Sequence, residues 1–156
     1  MTQIAENTPA PALVIATDGD GRFDLSAHKG QKVVVYFYPK ADTPGCTNEG
    51  QDFSALADEF ATANTIIIGI SRDTVKKLDR FKAKHDFKIT LSSDEDGVVT
   101  EAWGVWILKK LYGREYMGIE RATFLVDTHG DIAKVWHNVK VKGHAAEVLE
   151  AAKALA

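Results

Sequence analysis

A single cysteine, Cys46, is all the thiol chemistry in this chain of 156 residues. An internal disulfide and a Cys-x-x-Cys redox pair are both excluded, and the count suits a reducing compartment. Only four prolines occur, and the glycines fall singly between periodic segments, so there is no Pro- or Gly-rich linker and no phosphate-cradling glycine loop. A net charge of -3 with both signs scattered leaves no basic stripe for nucleic acid. No apolar run is long enough to span a bilayer, and the stretch from Met1 to Pro11 lacks the cationic start and apolar core of an export signal. A cytoplasmic protein with neither nucleic-acid nor membrane partner is expected. The five histidines (His28, His85, His129, His137 and His144) show no close zinc-type pairing, so no metal is expected, and no other cofactor.

What is present suits one globular domain over residues 1–156, with 45% hydrophobic and 26% charged residues. Val33–Tyr38 and Thr65–Ile70 are continuous β-branched and aromatic runs, read as central parallel strands buried on both faces. Between them Phe53, Leu56, Ala57 and Phe60 recur at helical spacing, which predicts one helix over 46–63 and a right-handed β-α-β unit. Val75, Leu78 and Phe81 predict a second helix over 74–85, and 96–103 a shorter one. Ala122–Asp127 and Ile132–Trp136 flank the turn Thr128-His129-Gly130-Asp131 as a β-hairpin. Residues 145–155 close the chain as a helix, and 12–16 with 22–25 suggest a small edge hairpin. The order implies an α/β class of thioredoxin-like fold, a central mixed β-sheet flanked by helices. The stretch 107–118 is long for a loop, and no role is assigned to it.

Cys46 stands where the first central strand gives way to its helix. Thr43 is a good N-cap, Pro44 suits the first helical position, and Gly45 lets a second molecule approach the backbone. The sulfur then lies beside unpaired N–H groups at the positive end of a helix, a setting that favours the thiolate. The bland alternative is a small buried filler behind an ordinary helix start.

Pro39, Thr43 and Cys46 form a Pro-x-x-x-Thr-x-x-Cys arrangement, and Tyr36 through Thr47 resembles the active site of peroxiredoxins. Gly69-Ile70-Ser71-Arg72-Asp73, Trp103-Gly104-Val105-Trp106 and Tyr116 through Asp127 are similar to the bacterioferritin comigratory protein, or Q-type, branch. The resemblance runs along nearly the whole chain. It implies that Cys46 is the peroxidatic cysteine, oxidised by peroxide to a sulfenic acid. It further implies that Thr43 offers its hydroxyl to sulfur and peroxide, that Pro39 shields the sulfur, that Arg121 supplies a fixed cation, and that Glu49 holds that arginine. Backbone amides of Gly45 and Cys46 would complete the cradle. Thr123 lies in a resembling segment, Trp103, Trp106 and Trp136 are read as packing residues, and Lys109 with Lys110 as a solvated patch.

One departure matters. Many members of the branch carry a resolving cysteine five residues after the first, where this chain has Gln51, and others carry it in the following helix, at what corresponds to Lys82. Lacking both, the chain looks like a one-cysteine enzyme whose sulfenic acid reacts with an external thiol such as thioredoxin, glutaredoxin or glutathione. The expected activity is a thiol-dependent peroxidase acting on hydrogen peroxide and small organic hydroperoxides. The branch leans towards a monomer. A redox sensor or holdase using the same cysteine without turnover is the alternative, and a structural or binding module with an incidental cysteine is a third.

Overall fold

The computed structural model describes residues 4–155; residues 1–3 and 156 of the expected domain lie outside the described part. The chain opens with a hairpin of β1 (Val14–Thr17) and β2 (Gly21–Asp24). It continues through β3 (Lys32–Phe37), α1 (Pro44–Ala55), α2 (Ala57–Thr62) and β4 (Thr65–Ser71), the expected β-α-β unit. Then come α3 (Val75–His85), β5 (Thr90–Ser93), α4 (Val98–Ala102), β6 (Trp106–Leu111), β7 (Arg114–Ile119), β8 (Ala122–Val126), β9 (Ile132–Trp136) and α5 (His144–Ala154). Seven strands form one sheet in the order β2-β1-β5-β4-β3-β8-β9. The β3–β4 and β4–β5 pairs are parallel and the others antiparallel, so this is the mixed, helix-flanked sheet of a thioredoxin-like fold.

Strand β3 explains itself by its alternation. Val33, Val35 and Phe37 enter one core with Phe23, Val99, Trp103 and Phe124, whereas Val34 and Tyr36 enter the other with Phe53, Phe60, Leu78 and Val148. All six of its residues are buried, as a strand covered on both faces requires. Lys32 starts the strand, and its buried ammonium donates to the carbonyls of Ala152 and Leu155 at 2.6 and 2.8 Å, capping the last turn of α5.

Two expectations are corrected, and one strand is new. The predicted single helix over 46–63 is two helices, because at Leu56 the backbone departs from helical geometry and its N–H donates to Phe53 O at 3.1 Å. Phe53 and Phe60 still face one core across the break, with ring centroids 6.0 Å apart. The stretch 107–118 is no loop; it is the paired arms of the β6–β7 hairpin, a two-stranded sheet of its own. β5 was not foreseen, since Thr90, Ser92 and Ser93 make its sequence polar although Leu91, Ser92 and Ser93 are buried. Among the described residues no helix is long and apolar enough to cross a membrane.

Candidate active site

Sheet register brings the site together. Parallel pairing sets Phe37 beside Ile70, and antiparallel pairing sets the same Phe37 opposite Ala122. The end of β3, where the chain turns into the Cys46 loop, therefore lies beside Arg121, the residue preceding β8. Helix α1 is seated by Phe53, fully buried and stacked on Tyr36 at 4.7 Å between centroids. Such a buried aromatic contributes about 1.5–3 kcal/mol. Tyr36 needs its neighbour in β4 to be Gly69, since a Cβ there would stand 2.7 Å from the tyrosine ring.

Cys46 is the third residue of α1 and is 2% exposed. Pro44 occupies the first turn as expected, and Thr43 has the extended backbone of an N-cap, but its side chain makes no cap. Its hydroxyl donates instead to Lys40 O at 2.8 Å, which corrects the expected capping role. The oxygen lone pairs then remain available, and the N–H groups of Gly45 and Cys46 have no acceptor among the described residues. Those two donors belong to the helix turn that carries the sulfur.

Arg121 reaches this turn from the sheet. Its Nη2 donates to Cys46 Sγ at 3.4 Å and its Nη1 to Glu49 Oε1 at 2.7 Å. Glycine at residue 45 eases the approach; a Cβ there would lie 3.1 Å from Nη2 and push the guanidinium back by a few tenths of an ångström. The arginine backbone is fixed too, its carbonyl accepting from Val139 N–H at 2.9 Å. Glu120 does not pair with it. That carboxylate turns to Asn138 N–H at 2.8 Å and His137 Nδ1 at 2.9 Å.

Glu49 is 1% exposed and its second oxygen, Oε2, is buried without a hydrogen-bond partner. Burial pushes its pKa up to about 7, although Arg121 acts in the opposite direction. Burial works to lower Arg121, but the charges of Glu49 and Cys46 carry it above its ordinary value. The guanidinium remains charged at any working pH. Pro39, half-buried, stands at the turn out of β3.

The loop is anchored from below. Asp73 Oδ2 accepts from Ala41 N–H at 2.7 Å and from Ser71 Oγ at 2.8 Å, while Asp42, with φ of 61°, pairs with Lys84 at 2.9 Å and His85 at 3.2 Å. These anchors were not foreseen: Ala41, Asp42, Ser71 and Asp73 fall in resembling segments, but none was given a role. Lys109 also departs from expectation. Rather than solvated, it is half-buried, its pKa lowered by burial and then by the nearby Arg121 charge, so the β6–β7 hairpin lies within electrostatic range of the site. Trp106 packs as expected, with the Arg72 guanidinium 3.4 Å over its ring. Trp103 and Thr123 are fully buried, Thr123 with its hydroxyl 2.7 Å from His144 Nε2. Among the described residues no three potential metal ligands cluster.

Sulfur and guanidinium meet at 3.4 Å beside a helix turn with two unpaired amides, donors suited to a small polar molecule whose oxygens gain negative charge. A model of the AhpC/TSA family matches residues 7–135. Peroxiredoxin Bcp of Bacillus subtilis is 46% identical over 144 residues, covering 92% of each chain. Peroxiredoxin Bcp of Xanthomonas campestris is 46% identical over 156 residues, covering 99% of this chain and 98% of that one. A structure of the Xanthomonas bacterioferritin comigratory protein, studied for alkyl peroxide reduction, superimposes with a TM-score of 0.87 at 46% identity, covering 91% and 90% of the two chains. Cys→Ser variants at two different cysteines of the Xanthomonas protein have also been solved, whereas this chain has one cysteine.

Proposed function

Since the chain belongs to the AhpC/TSA family, as a one-cysteine member of its bacterioferritin comigratory, Q-type peroxiredoxin branch, we propose that Cys46 is the peroxidatic residue of this thiol-dependent peroxidase. The thiolate attacks one oxygen of hydrogen peroxide or a small organic hydroperoxide, and the O–O bond breaks. The second oxygen leaves as hydroxide or alkoxide and takes a proton to give water or an alcohol, while Cys46 retains the first as a sulfenic acid. Arg121 and the Gly45 and Cys46 amides stabilise charge on the oxygens, Glu49 positions Arg121, Thr43 orients the peroxide through its free lone pairs, and Pro39 limits water at the sulfur. An external thiol, whether thioredoxin, glutaredoxin or glutathione, returns Cys46 to the reduced state. The protein acts in the cytoplasm as a monomer of one domain over 1–156, without nucleic-acid or membrane partner. No metal or other cofactor is needed.

The observation that carries this reading is the single guanidinium shared between Cys46 Sγ and Glu49 Oε1. Its test is the rate constant for Cys46 oxidation by hydrogen peroxide, followed by stopped-flow tryptophan fluorescence with Cys46→Ser as blank. A rate far above that of a small-molecule thiolate is expected; a rate like that of a free thiol would sink the assignment. The absence of a second cysteine favours one other reading, a redox sensor or holdase, which predicts fast oxidation but no sustained peroxide consumption with any thiol.

A further inference from the structure

Below the Cys46 loop lies an open cavity of about 370 Å³, lined on one side by Lys40, Ala41, Asp42 and Asp73 and on the other by Lys77, Arg80, Phe81 and Lys84 of α3. That volume is at the small end of ligand sites. Four cations face two carboxylates, and the carboxylates are already engaged. Asp73 binds Ala41 N–H and Ser71, and Asp42 binds Lys84 and His85. Lys40, Lys77 and Arg80 make no ion pair among the described residues. The chain as a whole carries a net charge of -3, so a local excess of cations beside the reactive loop runs against its overall sign.

We propose that this cavity binds the carboxylates of a small anionic thiol, of the glutathione type, which is the reductant of oxidised Cys46. The proposal rests on the peroxidase reading given above. The cavity and the sulfur share one loop: Lys40, Ala41 and Asp42 line the former, and Thr43 opens the helix turn that holds the latter. Cys46 is buried, so an incoming thiol meets its sulfur only when that loop yields. A carboxylate in the cavity competes with Asp42 for Lys84 and so weakens an ion pair that ties the loop to α3. Binding of the reductant and loosening of the loop are thereby coupled through one lysine.

The chemistry balances without another reagent. The anionic thiol sulfur attacks the sulfenic sulfur, an S–S bond forms, and the sulfenic oxygen leaves as water with the thiol proton. A second molecule of the same thiol attacks the mixed disulfide on its own sulfur partner, releasing the small-molecule disulfide and the Cys46 thiolate.

The test uses the full chain, hydrogen peroxide and three thiols of different charge: anionic glutathione, neutral 2-mercaptoethanol and cationic cysteamine. The ratio of kcat/KM for glutathione to that for 2-mercaptoethanol is expected to fall about tenfold in Lys77→Glu/Arg80→Glu. It should fall less in Lys77→Gln/Arg80→Gln, which retains fold if the reversal does not. In the parent, raised salt should depress the same ratio, and cysteamine should be the poorest donor. An unchanged ratio in both variants overturns the proposal, as does turnover supported by thioredoxin or glutaredoxin but by no small thiol. If parental Cys46 does not react rapidly with peroxide, the peroxidase reading itself falls, which is a different result.

Discussion

Glu49 holds Arg121 by one oxygen, at 2.7 Å, and keeps its other oxygen buried with no partner. A fully engaged ion pair would have been the more stable arrangement. Instead one guanidinium nitrogen is spared for the sulfur of Cys46, and the carboxylate that positions it sits close to its own protonation point. Three consequences for this group can be measured.

Arg121→Ala removes the cation and the donor facing Cys46 Sγ. Oxidation of Cys46 by hydrogen peroxide should slow by about 100-fold, the loss typical of one oxyanion donor. Arg121→Lys should recover only part of it, since an ammonium cannot hold Glu49 and the sulfur with a planar fork. Stopped-flow tryptophan fluorescence reads both. A parental rate in Arg121→Ala would remove Arg121 from the site.

Glu49 titrates near pH 7 rather than at its ordinary 4.5, chiefly through burial. The native state thus binds a proton between about pH 4.5 and 7 that the unfolded state has released, so stability falls as pH rises through this window and the contribution is gone above it. It amounts to up to about 3 kcal/mol. Activity runs the other way, because only the carboxylate holds Arg121 by charge, and the oxidation rate should gain a step near pH 7. Glu49→Gln should lose that step and flatten the pH dependence of the urea midpoint. Identical profiles in parent and variant would exclude Glu49 as the titrating group.

His144 behaves oppositely. It is packed at the start of α5 against Phe53 and Trp136 and lies 2.7 Å from the Thr123 hydroxyl, and burial lowers its pKa to about 4. With the folded value below the ordinary 6.5, stability is complete above about pH 6.5 and declines as pH falls towards 4. Thermal midpoints at pH 7.5 and 5 should converge in His144→Gln relative to the parent. No convergence would mean that the ring is already charged in the fold.

Without an external thiol, one peroxide equivalent should convert Cys46 to a sulfenic acid that no internal thiol can capture, since the chain has no other cysteine. Further peroxide should carry it to the sulfinic acid, visible by mass spectrometry, and added thiol should protect it. A stable sulfenic acid in excess peroxide would show that the folded site itself blocks the second oxidation.

Much of this architecture was legible because its strands are strongly biased: β3 and β4 are uninterrupted β-branched runs, and Val75, Leu78 and Phe81 repeat at helical spacing. The hairpin β6–β7 escaped because Leu108, Leu111, Tyr112, Tyr116 and Met117 stay exposed, so neither strand shows a clean buried alternation. The split at Leu56 has no glycine or proline to announce it. At the site, Pro39, Thr43 and Cys46 are near neighbours in sequence, and their local motif is informative. Arg121 and Glu49 meet across 72 residues, and only sheet register brings them together. The Asp42 and Asp73 anchors were invisible for the same reason: a carboxylate in a loop does not disclose which distant backbone or lysine it will meet.

Lys32 ties the first residue of a central strand to the last turn of the last helix. During synthesis, that strand leaves the ribosome long before its carbonyl partners exist, and its ammonium must remain in water until Ala152 and Leu155 emerge. A stalled chain ending before Ala152 should therefore stay protease-sensitive, with α5 undocked and the second face of β3 uncovered. Phe53 of α1 shares a core with Val148 and Ala152 of α5, so the cysteine loop, translated earlier, gains that support only once α5 has docked.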